Sequence, residues 1–364
     1  MCGLNPRSRL VLAKLEATPG TDANPVVGTD DLFVSMDSAG IKLGVTQLGN
    51  EPASPTGYEL PAAIATIKPT ATYRIPLYGK GRVVGPPTSP ILPRWLSVIL
   101  ASCGHVDRYA GSPAASEVVW TPDSIFPRTT STVNVVSANN CTFTVYDYLA
   151  RSGSVSAGTK ILQAMVGCRV SQVRFVLTVG QWAFLEVDIL GLSVQPVAST
   201  TNLSAADLDD VRTDFVRANA AQSEFSFTAG SYVLQSQSTT WTIDFGATQE
   251  EGDSTSAGVA TVGTRQALVT ASMNPIQNDG LGGGLDITQL SAAQFEQEDG
   301  SYAMAGSMTP EGRTVDIGYT LRVAAPAVQV VFDYDTSGSV VRLPTTAKAV
   351  SADSTTPPIS LTLS

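Results

Sequence analysis

Residues 169–194 constrain the fold more than any other part of this chain. Before Gly180-Gln181, Val173, Phe175 and Leu177 alternate with Gln172, Arg174 and Thr178; after it, Leu185, Val187 and Ile189 alternate with Glu186 and Asp188. A period of two places successive side chains on opposite faces of a strand, so the stretch predicts an antiparallel ribbon with one apolar and one polar side. Such a ribbon must bury its apolar face against a second layer and find partners for the backbone groups along its edges. Residues 328–343 read the same way. Val328, Val330, Phe332 and Tyr334 point one way, Gln329, Asp333 and Asp335 the other, and Asp335-Thr336-Ser337-Gly338 turns the chain into 340–343.

The rest of the sequence extends this mainly β reading. Only 15% of the 364 residues are charged, against 43% hydrophobic, and the balance of Ser, Thr, Gly and Ala suits strands and turns better than surface helices. Residues 20–70, rich in Pro, Gly, Thr and Ala, read as extended arms and loops. A strand is expected at 73–78, with Pro76 favouring an edge position. A helix is expected at 93–101, opened by Pro93 and stopped by Gly104. Strands at 132–136 and 141–146 flank the turn sequence Ser137-Ala138-Asn139-Asn140. Residues 195–222 form a link in which Ser204 and Asp207 resemble a capping box ahead of Leu208, Val211 and Phe215. The second half then repeats the order of the first, with strands near 232–234 and 241–245, a helix at 287–296, and strands at 314–323 and 328–334. The expected division is an arm and loops at 1–70, a first β unit at 71–195, a linker at 196–224, a second β unit at 225–350 and a tail at 351–364.

Charge excludes some functions. Of the net −10, residues 201–300 carry fourteen acids against three bases, and an acidic chain lacks the clustered Lys and Arg that grip phosphates. No run approaches the ~20 apolar residues of a membrane helix, and the N-terminus lacks the apolar core of a secretory signal. The four cysteines, Cys2, Cys103, Cys141 and Cys168, are far apart and read as reduced, mostly buried thiols.

No catalytic, cofactor or metal constellation emerges. The single histidine, His105, lies two residues from Cys103 but has no further triad partner, and one histidine with scattered cysteines cannot supply a zinc site. Asp335-Thr336-Ser337-Gly338 departs from the Asp-Thr-Gly of aspartic proteases and is explained by a hairpin turn. Asp207, Asp209 and Asp210 lack the glycine and closing glutamate of a calcium loop. Leu281-Gly282-Gly283-Gly284 lacks the Lys-[Ser/Thr] of a phosphate loop.

The segment Leu10-Val11-Leu12-Ala13-Lys14-Leu15-Glu16-Ala17-Thr18-Pro19-Gly20-Thr21-Asp22, followed by a Pro-rich arm and the extended stretch 31–34, resembles the N-terminus of the major tail tube proteins of phages with long non-contractile tails. Gly167-Cys168-Arg169, Gly180, Leu185-Glu186-Val187-Asp188 and Gly191 are similar to that family's ribbon. Cys103-Gly104, Trp120-Thr121-Pro122 and the Ser/Thr-rich strand at 129–136 lie in the order the family shows, as do Asp244-Phe245-Gly246 and Arg265. The arm at 35–70, unusually rich in Pro and Ala, and the tail after Val350 depart from the pattern.

The resemblance implies a barrel or sandwich core whose ribbons join neighbouring subunits into a ring-shaped barrel, and the repeated element order makes two such units in tandem, each with a short helix. Rings would stack into a hollow tube, part of a virion tail assembled in the bacterial cytoplasm. Its partners would be further copies of itself, a tape-measure protein and transiting double-stranded DNA within, and terminator and tip proteins at the ends. With duplication three chains make a pseudo-sixfold ring; without it six are needed. Glu186, Asp188, Gln329, Asp333 and Asp335 would face the channel, the alternative being an outer solvated face. Leu10, Leu12, Leu15, Asp31 and Phe33 would belong to an arm bridging rings. The other reading of the composition is a tail-tip or decoration β-sandwich.

Overall fold

A computed structural model describes residues 4–35, 37–48, 63–80, 93–109, 118–122, 132–134, 142–151, 160–178, 184–199, 215–228, 236–251, 259–263, 268–275, 302–310, 321–333, 335–338, 342, 344–350 and 357–363. The expected turns and helices at 137–140, 204–215 and 287–296 lie wholly or largely outside these residues.

The protein is mainly β and its ladders are antiparallel. The first nine strands are β1 Leu4–Leu15, β2 Asp31–Leu32, β3 Gly40–Leu48, β4 Ala63–Pro76, β5 Tyr78–Lys80, β6 Gly104–Tyr109, β7 Val118–Pro122, β8 Thr132–Asn134 and β9 Phe143–Arg151. The ribbon follows as β10 Lys160–Thr178 and β11 Phe184–Leu190, then β12 Ser193–Ser199. Later strands are β13 Phe215–Thr228, β14 Ser236–Asp244, β15 Thr248–Glu251, β16 Val259–Gly263 and β17 Leu268–Pro275. The last are β18 Tyr302–Pro310, β19 Leu321–Phe332, β20 Thr345–Val350 and β21 Ser360–Leu363. Traced from partner to partner, the described ladders branch but do not close into a barrel.

β10 organises the first half because it serves two sheets. Its residues 160–168 pair with β9 and β12, whereas residues 169–178 pair with β11 and β14. The crossing lies at Gly167, which adopts φ +64, with one register irregularity spanning it between Met165 and Cys168 and another between Val170 and Gln172. A side chain there would be strained, and its Cβ would lie 2.6 Å from Leu192 Cβ. The inner face of the β1–β9–β10 sheet, with Val11, Ala13, Phe143, Val145 and Met165, packs on Tyr73, Ile75, Val173 and Val187 of the other sheet. The helical segment Trp95–Leu100 adds five buried side chains to the same core. Pro93 opens it as expected, and the Trp120 indole N–H donates to the Leu100 carbonyl at 2.7 Å where it ends.

The same six ladders occur twice. In the first half they are β1–β9, β9–β10, β10–β11, β10–β12, β11–β4 and β4–β3. In the second they are β13–β18, β18–β19, β19–β20, β19–β21, β20–β17 and β17–β14, in the same order along the chain. β10 pairs directly with β14, so one sheet runs β3–β4–β11–β10–β14–β17–β20–β19 across both expected units. The 328–334 strand expected from alternation is the end of one longer strand, β19.

Residues 20–70 contain more regular structure than their composition suggests. β3 lies in this stretch, β4 starts in it, and Leu32 and Ile41 reach the core. Proline and glycine are diagnostic of loops only where they interrupt alternation; here Ile41, Leu43 and Val45 alternate in spite of them. The end of the 351–364 tail is likewise a strand, β21, paired with β19 and β7. Pro76 matches its expected edge character. It is the last residue of β4, opposite Phe184, and the β3 ladder on the other side ends earlier, at Thr72.

Candidate functional site

The large continuous sheet has a buried apolar face and a more polar outer face, and three of the expected channel residues, Glu186, Asp188 and Gln329, lie on the outer one. One cross-strand row on the apolar side reads Tyr73, Val187, Val173, Ile243, Val269, Ala349 and Val328 across seven strands, and all seven are buried. The adjoining row reads Arg74, Glu186, Arg174, Thr242, Thr270, Lys348 and Gln329. None of these is buried. Period-two alternation in seven strands, held in register by their ladders, therefore generates a continuous polar row, with Val176, Phe184, Leu268 and Val331 on the same face beside it.

The carboxylates on this surface are not bare. Glu186 Oε1 lies 3.5 Å from Arg74 Nε, and its Oε2 lies 3.4 Å from Arg174 Nε. Asp188 Oδ2 accepts from Arg174 Nη2 at 3.1 Å, and its Oδ1 accepts from the Thr72 hydroxyl at 2.8 Å. The Arg74 guanidinium stacks over the Phe184 ring at 3.9 Å, with Asp37 3.5 Å away. Two arginines thus balance Glu186 and Asp188. The carboxylates expected along this row are therefore charge-paired rather than a bare acidic strip. Arg74 and Arg174 were legible in the sequence, since each stands in the polar phase of its own strand.

Gln329 of β19 and the exposed Asp333 just beyond its end share one phase of the chain with Val331, which is 58% exposed. Asp335 is mainly a turn former. Its carboxylate accepts from the Ser337 N–H at 2.9 Å and from the Ser337 hydroxyl at 2.6 Å, which lowers its pKa, and its backbone bridges to Arg342.

The residues assigned to an inter-ring arm are held within the chain. Leu10 and Leu12 face Tyr148 and Tyr146 in the β1–β9 ladder and are buried in a small outer cluster with Leu162, Ala164 and Val27. Leu15 and Phe33 pack partly buried on the main core, and Asp31 pairs with Leu12 in β2. The N-terminal motif itself is an anchor. The buried Glu16 accepts from the Gly20 N–H at 2.6 Å, the Gly167 N–H at 2.7 Å, the Thr144 hydroxyl at 2.8 Å and the Thr142 hydroxyl. It therefore ties the motif to the glycine where β10 changes sheets.

A second buried carboxylate, Asp147, accepts from Arg9 Nε at 2.8 Å and Nη2 at 2.6 Å, and from the Tyr73 hydroxyl at 3.2 Å. Burial, then the neighbouring Asp147 carboxylate, raise the Tyr73 phenol well above its ordinary value. Burial and a hydrogen bond to Asp22 raise Tyr146 as well. A phenol whose folded pKa exceeds the unfolded value of about 10 contributes stability that is complete below that pH and lost as pH rises towards the folded value. The unfolding midpoint should therefore fall progressively above pH 10. Tyr73→Phe should flatten that fall in a urea titration repeated across pH; equal slopes would remove Tyr73 from the account.

Cys103 and Cys168 are buried thiols outside any disulfide, and burial raises the Cys168 thiol further from reactivity. Among the described residues, no group of three potential ligands could hold a metal ion and no helix is long and apolar enough to cross a membrane. His105 lies in β6 beside Thr121 of β7.

No family model matches this chain, and no curated protein is significantly similar to it in sequence.

Proposed function

We propose that this protein is the repeating subunit of a hollow tube, the tail tube of a phage with a long non-contractile tail. One observation carries the reading: the same six ladders recur in both halves, and the halves join edge to edge into a single sheet with one buried and one polar face. A sheet so built is suited to forming an arc of a channel wall, with its apolar face backed by the β1–β9–β10 layer and its polar face turned to the lumen. Because each chain supplies two equivalent segments, three chains make one pseudo-sixfold ring.

The polar row then lines the conduit. Arg74 and Arg174, each beside Glu186, present paired charges, so passing DNA meets neither a phosphate-gripping cluster nor a strongly repulsive wall. Two unit charges at 4 Å interact by only about 1 kcal/mol in water, and salt reduces this further. A paired surface therefore lets a polyanion slide. The tape-measure protein would occupy the same lumen before DNA does, with terminator and tip proteins closing the ends. The work is assembly, not catalysis, and its place is the virion tail.

Electron microscopy of the purified protein at high concentration tests this directly. Hollow tubes or rings of uniform diameter, with threefold averages resolving six similar segments, are the expected result. Monodisperse monomers at every salt and concentration, or rings of six identical chains, would count against it.

A further inference from the structure

The repeated ladders leave two complementary vacancies. β10 is paired along one edge by β12 and β11, and along the other by β9 over residues 161–168 and by β14 over residues 172–178. Its counterpart β19 is paired along one edge by β21 and β20. Along the other edge β18 covers β19 as far as Val328, and no described strand covers residues 329–332. That stretch occupies the place in the second half that holds β14 in the first. β14 lies between β17 and β10. Its counterpart β3 has β4 on one edge and, among the described residues, no strand on the other.

Side chains mark the β3 edge independently. Along β3, Ile41 is 8% exposed, but Leu43 and Val45 on the same face are 50% and 45% exposed. The apolar row thus continues beyond the point where this chain covers it. A nine-residue edge strand with exposed apolar residues is a template for strand addition, and natural sheets seldom leave one open. On the counterpart β14, where β10 is paired alongside, Trp241 and Ile243 of the apolar row are buried.

We propose that a second copy of this chain fills both vacancies, β3 of one copy pairing antiparallel with residues 329–332 of the next. The junction between copies repeats the β14–β10 junction within the chain. The contact is heterologous, so each copy keeps one edge of each kind, and repeated addition builds a ring where the rotation closes. Leu43 and Val45 become buried in the process. This rests on the subunit reading above and adds which edges meet.

Mixing two blocked variants tests it. Leu43→Lys with Val45→Lys places charge in the row to be buried. The N–H groups of residues 330 and 331 point to opposite edges of β19, so of Val330→Pro and Val331→Pro the variant that keeps the wild-type melting temperature is the one blocked at the outer edge. Each blocked protein alone should be monomeric by light scattering, whereas an equimolar mixture should give a one-to-one dimer that grows no further. Hydrogen exchange on assembled wild-type protein is the second measurement, independent of whether the proline variants fold. Amides of residues 42–46 and 329–332 should gain protection relative to the Leu43→Lys, Val45→Lys monomer. Wild-type assembly that survives either block, a mixture that stays monomeric, or unprotected amides in assembled protein would overturn the edge pairing and leave the subunit reading standing. A wild-type chain that never self-associates would overturn both.

Discussion

Asp147→Ala should cost about 3–5 kcal/mol of unfolding free energy, the penalty for breaking a buried ion pair by removing one partner. The Asp147 side chain is fully inaccessible and that of Arg9 is 13% exposed, so a guanidinium left behind finds little water. Its Nη1 would keep the Ser38 carbonyl at 2.6 Å, but two further donors and the Tyr73 hydroxyl would lose their acceptor. Gly40 stands against this pair for a geometric reason. It adopts φ +72, and a Cβ there would lie 1.5 Å from Arg9 Nη2 and 2.8 Å from Asp147 Oδ2. The discriminating control is the apolar double replacement Arg9→Met, Asp147→Leu, which removes both charges together. Chemical denaturation should show it recovering much of the loss, since a buried pair owes its cost to desolvation. If Asp147→Ala is nearly silent, the pair is solvated in solution and the packing around Gly40 is looser than described.

Trp241→Ala should cost a similar amount, about 3–5 kcal/mol, and should also change how the protein unfolds. Trp241 is 1% exposed and lies in β14 between Phe175 of β10 and Ala271 of β17, where the two halves meet. A cavity there removes apolar contact on both sides of the junction. The wild type should melt as one cooperative unit by calorimetry, and Trp241→Ala should broaden or split that transition as the halves uncouple. Trp241→Phe separates the ring from the indole. The indole nitrogen is buried without a hydrogen-bond partner, so its loss removes an unsatisfied donor. Phe should therefore cost clearly less than Ala. Equal losses, or a single sharp transition in the alanine variant, would show that the halves are coupled elsewhere.

Much of this fold is legible in particular residues. The alternation in 172–178 and 185–189 identified β10 and β11, and Val173, Phe175, Leu185, Val187 and Ile189 are all buried in the core. Pro93 and Gly104 bracketed the helical segment. The charged pairing was not read, although its members were visible. Arg74 stands about a hundred residues from Arg174, and only the ladders through β11 set both beside Glu186. Leu10 and Leu12 depend on the fold in another way. Val11 and Ala13 face the main core, whereas Leu10 and Leu12 lie on the other face of the same sheet, buried beside Tyr146, Tyr148, Leu162, Ala164 and Val27, so an apolar run that reads as an arm is a strand buried on both of its faces. Glu16, read as part of a motif, is a buried acceptor whose partners are Gly20, Gly167, Thr142 and Thr144.

The sequence by itself determined which side of each strand is apolar, because side-chain period is a local property. Only the tertiary structure decided which strands are neighbours, because backbone ladders carry no residue code and any strand edge can pair with any other. The choice falls to packing. β10 is long enough to serve two sheets, bends at Gly167, and there commits one edge to β14. The corresponding edges, that of β3 and that of residues 329–332 in β19, have no such partner among the described residues.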